Sequence, residues 1–166
     1  MITRPSDDPE LRAILAHHEA GHAVADFLGA VRVSRVSIDE AWGGVTVVEG
    51  LEEPDLEGLT SEALTVVLEP AVIGLLAGPL AEEALTGLYD KDRAVADLKS
   101  AARLGFASVP DGASWSDYDV ELTRRARQIV ADHWPTILDL AAELIERGEM
   151  DGVEVAGFLA PRLCVV

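Results

Sequence analysis

Leu11, Ile14, Leu15 and Ala25 recur at steps of three and four, and His18 and His22 fall on the same stripe of the helix this spacing predicts. Asp8-Pro9 supplies a start, with Asp as cap, Pro at the first helical position and Glu10 in the positive first turn, and Gly29 offers a stop. Residues 32–38 (RVSRVSI) then alternate apolar and polar, and 44–49 (GVTVVE) are rich in β-branched residues, which predicts a hairpin across Asp39–Gly43. A helix is expected over Thr60–Leu68, and Pro70 should begin another running to about Thr86, with Gly78-Pro79 producing a kink or a packing contact. A further helix should cover Arg93 to about Ala107. Beyond the turn-rich 110–116 segment, Asp117–His133 and Pro135–Arg147 form two helices or one bent at Pro135. Asp151-Gly152 reads as a turn before a short helix near Val153–Leu159. The pattern predicts a mainly α fold with one small β-hairpin or sheet, a single domain over 1–166 with its core at about 8–160.

Composition sharpens this picture. With 166 residues, 49% of them hydrophobic, the chain can bury a core without staples. Its one cysteine, Cys164, excludes a disulfide framework and a cysteine zinc cluster. The first ten residues are polar and acidic rather than signal-like, and the most apolar run, Ala71–Ala81, is too short to span a bilayer. A soluble, cytoplasmic protein is the expectation. The net charge of −17, from 30 acids against 13 bases, argues against nucleic acid or anionic lipid as a partner. The acidic run Glu49–Glu62 reads as a solvated surface loop.

Residues 18–22 carry the chemistry. His18-Glu19-Ala20-Gly21-His22 is an H-E-x-x-H pattern, which arises by chance in roughly one chain in a few hundred of this length. Positions i and i+4 share a helical face, so both imidazoles can reach one metal, and Glu19 can serve as general base. Zinc supplies what glutamate lacks, by lowering the pKa of a bound water to about 7. Ala20 and Gly21 keep the helix slim, so that another segment can approach the metal.

A catalytic zinc takes three protein ligands and a water, so a third ligand is needed. Position 28, where a metzincin would carry its third histidine, is Leu28. His17 points about a quarter-turn away from His18 and is expected to support a ligand or lie exposed. His133, beside Trp134, fits better among the C-terminal helices. A carboxylate remains: Glu82, Glu83 or Asp97 on helices, or Asp90 or Asp92 in the loop between. Periodicity does not choose among them.

The string 16–24 (AHHEAGHAV) resembles the start of the peptidase domain of the FtsH family of ATP-dependent zinc proteases. Arg35-Val36-Ser37-Ile38 followed by Gly43-Gly44-Val45-Thr46 is similar to that family's hairpin. Residues 75–83 (LLAGPLAEE) resemble its Glu-Glu helix, although Pro79 stands where the family has Arg. Asp97-Leu98-Lys99-Ser100-Ala101 resembles its Asn-Asp-Leu segment, with Ala96 in place of Asn, and 141–155 (AAELIERGEMDGVEV) resembles its last helices. These likenesses run in order over roughly 12–158. They imply a helical zinc-peptidase domain whose Zn2+ is held by His18, His22 and Asp97, with Glu19 as base. Glu82 is the reserve ligand, and the Glu82-Glu83 pair otherwise orients a ligand by hydrogen bonding.

The resemblance implies a zinc metalloendopeptidase hydrolysing flexible or unfolded polypeptides. The chain carries no Walker A loop, so a separate ATPase is the partner it would borrow, and the family's ring assembly leaves an oligomer open. The Gly44–Val48 strand edge could hold an extended substrate by β-augmentation, or simply pack on the helices. The alternative is a catalytically degenerate peptidase-like domain that binds a peptide or partner. A structural zinc would leave Glu19 without a task.

Overall fold

Asp8 caps the first helix, α1 (Pro9–Leu28), accepting hydrogen bonds from the backbone N–H groups of Glu10 at 2.9 Å and Leu11 at 3.3 Å. Gly29 ends it, its N–H donating to Ala25 O at 2.9 Å. The computed structural model describes residues 7–40, 43–49 and 57–163. Residues 1–6, Ala41 and Trp42 in the segment expected to turn, the 50–56 part of the acidic run, and 164–166 with Cys164 lie outside them.

Every residue of α1 from Ala16 to Asp26 is buried. Such a helix runs through the middle of a domain rather than along its surface. Its small residues permit this: a Cβ on Gly21 would sit 2.6 Å from Ala81 Cβ and 2.8 Å from Ala77 O, so α1 and the next helix approach almost backbone to backbone.

That next helix corrects the expected break at Pro70. Ser61–Thr86 is one continuous helix, α2, capped by the Thr60 hydroxyl, which accepts from Ala63 N at 3.2 Å, and closed by Gly87 at φ 75°. Pro70 removes the N–H that would bond the carbonyl of Val66. Val66 is 71% exposed, so water can take that carbonyl, while Ala71, Val72, Leu76, Ala77 and Leu80 beyond it are buried and hold the helix in line. Gly78-Pro79 makes a packing contact instead of a break. By length and composition α2 could cross a membrane, although the Ala71–Ala81 run inside it is too short, and 56% of its most apolar window is buried within the protein.

Helices α3 (Val95–Ser108) and α4 (Trp115–Asp132) pack on α2, and α5 (Trp134–Arg147) packs on α1. His133 joins α4 to α5, donating its N–H to Ile129 O and accepting from Ile137 N, both at 3.0 Å. The sheet has three antiparallel strands rather than two: β1 (Val33–Glu40), β2 (Gly43–Val48) and β3 (Glu149–Asp151), in the order β2-β1-β3. Val36 lies opposite Thr46 on one side and Met150 on the other. The Asp151-Gly152 step leads directly from β3 into α6 (Gly152–Leu163). The fold is mainly α with one small sheet, as the sequence pattern predicts, and β2 is the edge strand beside α1.

Candidate metal centre

His18 and His22 leave the same face of α1, one turn apart, with ring centroids 4.7 Å apart and planes at 77°. Asp97, in the first turn of α3, reaches across to them. Its Oδ2 lies 3.1 Å from His18 Nε2 and 3.6 Å from His22 Nε2. One donor atom from each of the three residues falls within 4.8 Å of the others, so the group can hold a metal ion. Donors on a tetrahedral ion with bonds of 2.0–2.1 Å stand about 3.3 Å from each other, between the two observed separations. Asp97, not the reserve candidate Glu82, joins the imidazoles.

Each imidazole is held from behind. His22 Nδ1 donates to Gly74 O at 2.8 Å, and His18 Nδ1 donates to Glu82 Oε2 at 3.3 Å. These bonds put the proton on Nδ1 and turn Nε2 toward the ligand position. Glu82 Oε1 in turn accepts from Arg93 Nε at 2.7 Å, and Arg93 Nη2 lies 3.0 Å from Asp90 Oδ2. Asp90 also accepts from the N–H groups of Asp92 and Arg93, shaping the loop that delivers Arg93. Glu83 faces the other way and pairs with Arg127 at 2.6 Å, while Asp92 is exposed. His17 is buried, donating to Ala13 O at 2.7 Å with its ring 5.8 Å from that of Trp134. It is neither exposed nor among the groups that meet at Asp97.

Glu19 is 4% exposed, and its Oε2 accepts from Thr46 Oγ1 of β2 at 2.8 Å. Gly44 makes room for it, since a Cβ there would collide with Glu19 Oε1. Gly78 does the same for His22 Nε2. His18, Glu19, His22, Glu82, Arg93 and Asp97 line one cleft of about 650 Å³, with β2 residues Gly43 to Val48 along it. A second hollow of about 610 Å³, lined by Phe27, Val33 and Val153 among others, shares no lining residue with it.

The charges reinforce one another. Burial works to lower the pKa of both imidazoles, but Asp97 outweighs it, helped at His18 by Glu82, and the His22 pKa rises to about 10. Burial alone would raise Asp97, yet the two imidazoles hold it well below the ordinary carboxylate range. Burial also raises Glu19, only partly opposed by His22 and His18. For Glu82, hydrogen bonds from His18 and Arg93 overcome burial and lower the pKa. The carboxylates that keep protons on the imidazoles would draw a metal ion into their place, with release of those protons.

Thr46, Arg93, Gly44 and Gly74 carry no sequence signal of these roles; each acts through a neighbour that only the tertiary fold supplies. No protein-family model matches the chain, and no curated protein matches its sequence.

Proposed function

We propose that the protein is a zinc-dependent metallopeptidase of the kind found in the FtsH family, hydrolysing peptide bonds of flexible or unfolded polypeptides. The observation that carries this reading is the convergence of two imidazoles, one carboxylate and the buried Glu19 on a cleft walled by an edge strand. Two nitrogens and one oxygen match the donor set of catalytic zinc sites, which keep one position for water or substrate. His18 Nε2, His22 Nε2 and Asp97 Oδ2 would hold the ion. When bound, zinc would polarise a carbonyl and acidify a water.

The protein's own groups do the rest. Glu19 takes the proton of the attacking water and passes it to the leaving amine nitrogen. Thr46 ties down Oε2, which leaves Oε1 as the proton-carrying atom. A carboxyl whose pKa is raised by burial suits both halves of that transfer. Among the described residues β2 is an edge strand, and that edge can pair with an extended substrate backbone and lay the scissile bond across the cleft.

The test is bound zinc and casein hydrolysis, measured together for wild type and Glu19→Gln. Near-stoichiometric zinc in both proteins, with cleavage by wild type alone, is the expected result. Cleavage retained by the pure variant would remove Glu19 as base. Zinc in both with no cleavage by either would instead support the binding-module reading or a missing ATPase partner.

A further inference from the structure

The cleft contains a carboxyl that the chemistry above does not use. Asp26 follows His22 by one helical turn on the same face of α1 and is 5% exposed. The other acids of the cleft all have partners: Thr46 for Glu19, Arg93 and His18 for Glu82, His18 for Asp97. Among the described residues, no donor lies within hydrogen-bond distance of the Asp26 carboxyl. It occupies space left by Gly74 of α2, where any Cβ would collide with Oδ1. The same cleft is lined by the apolar Ala71, Leu75 and Val48, while His22 is the charged group near enough to act on Asp26.

Among the described residues no fully buried side-chain polar atom lacks a partner, so the unbonded Asp26 oxygens open onto the cleft, where an occupant can meet them. Here burial pushes the carboxyl up to about 7, so it is poised to ionise when a cation arrives. The surroundings match one type of group: a long apolar stem with a charged tip. Such a stem would lie against Ala71, Leu75 and Val48 while its head reaches Asp26. Four residues along a helix amount to about 6 Å from His22, close enough for a side chain flanking the scissile bond.

We propose that Asp26 is the specificity-determining floor of a side-chain subsite in this cleft, which takes a lysine or arginine next to the bond that is cut. The proposal rests on the peptidase reading and predicts which peptides the same site selects.

Two measurements test it. The first is digestion of a mixed peptide library by the zinc-loaded wild type and by Asp26→Asn, with cut positions read by mass spectrometry. Wild type should show lysine and arginine enriched at one position beside the cut, and the variant should lose that enrichment among the bonds it still cuts. The second is binding to the uncatalytic Glu19→Gln protein. The probes are labelled neutral peptides with a single lysine walked along the sequence, each paired with its norleucine counterpart. The best lysine peptide should bind about tenfold tighter than its norleucine partner, and Asp26→Asn in the same background should abolish the difference. Zinc content and Tm confirm that the nearly isosteric variant is folded.

Cleavage by wild type without charge preference overturns the subsite and leaves the peptidase reading intact. A lysine preference that survives Asp26→Asn also overturns it. If nothing is cut but lysine is still preferred through Asp26, the peptidase reading fails and the cation subsite stands. If no peptide is cut or bound, both fail.

Discussion

A methyl group added at Gly78 would collide with His22 Nε2, and one added at Gly44 with Glu19 Oε1. The two glycines therefore bear separately on a proposed metal ligand, His22, and on the proposed base, Glu19. Neither has the positive φ that strains other residues in the left-handed region except Gly43 beside them, so the clash, not the backbone, decides the outcome. Gly78→Ala should weaken zinc binding by more than about tenfold, a loss of the size that follows from disturbing a ligand's support. Gly44→Ala should keep zinc and lower kcat/KM for an unstructured substrate by about 10²–10⁴, the usual contribution of a positioned acid–base group. Metal analysis beside a peptide assay checks the pair. Zinc retained by Gly78→Ala together with full activity of Gly44→Ala would mean that neither contact is as tight as the geometry requires.

Elements rather than residues decide whether these side chains meet. Helix α1 was legible in full, because Asp8, the three-and-four spacing and Gly29 are local signals. So were His18, Glu19 and His22, since the five-residue pattern needs only one helix to give it geometry. Asp97 was one of five candidate carboxylates from spacing alone, because its role depends on α3 crossing α1, and the family likeness singled it out. The continuity of α2 was missed because proline ends a helix in sequence logic, whereas here Pro70 follows the exposed Val66 and the buried residues beyond it sustain the helix. Strand β3 was missed because three residues carry no alternation to read. It is held by Met150, 1% exposed, opposite Val36 in the middle of the sheet. Met150→Ala should therefore cost about 2–5 kcal/mol, as for other large-to-small changes in a core. Urea denaturation should show a lower midpoint with unchanged slope. A change near zero would mean that α6 and β1 close over the gap.

At the scale of the whole molecule, the charge of −17 surrounds a cleft whose own walls include Arg93 and Arg103 as well as acids. The distant charges act by steering rather than by contact, and they are screened by salt over a Debye length that falls from about 30 Å at 0.01 M to about 8 Å at 0.15 M. Contacts inside the cleft are far less sensitive, because low dielectric and short range leave little solvent between the groups. The two influences separate if charge is placed on a substrate several residues from the scissile bond, beyond the reach of Asp26. A peptide with lysines at both ends should then show a higher kcat/KM than its glutamate-ended counterpart at low ionic strength, and the gap should shrink several-fold as salt rises to physiological levels. Equal rates for the two peptides at low salt would show that the local arginines cancel the long-range field. A gap that does not respond to salt would place the discrimination in direct contacts instead. The expected response would make an unfolded cationic segment the substrate best suited to the proposed peptidase site.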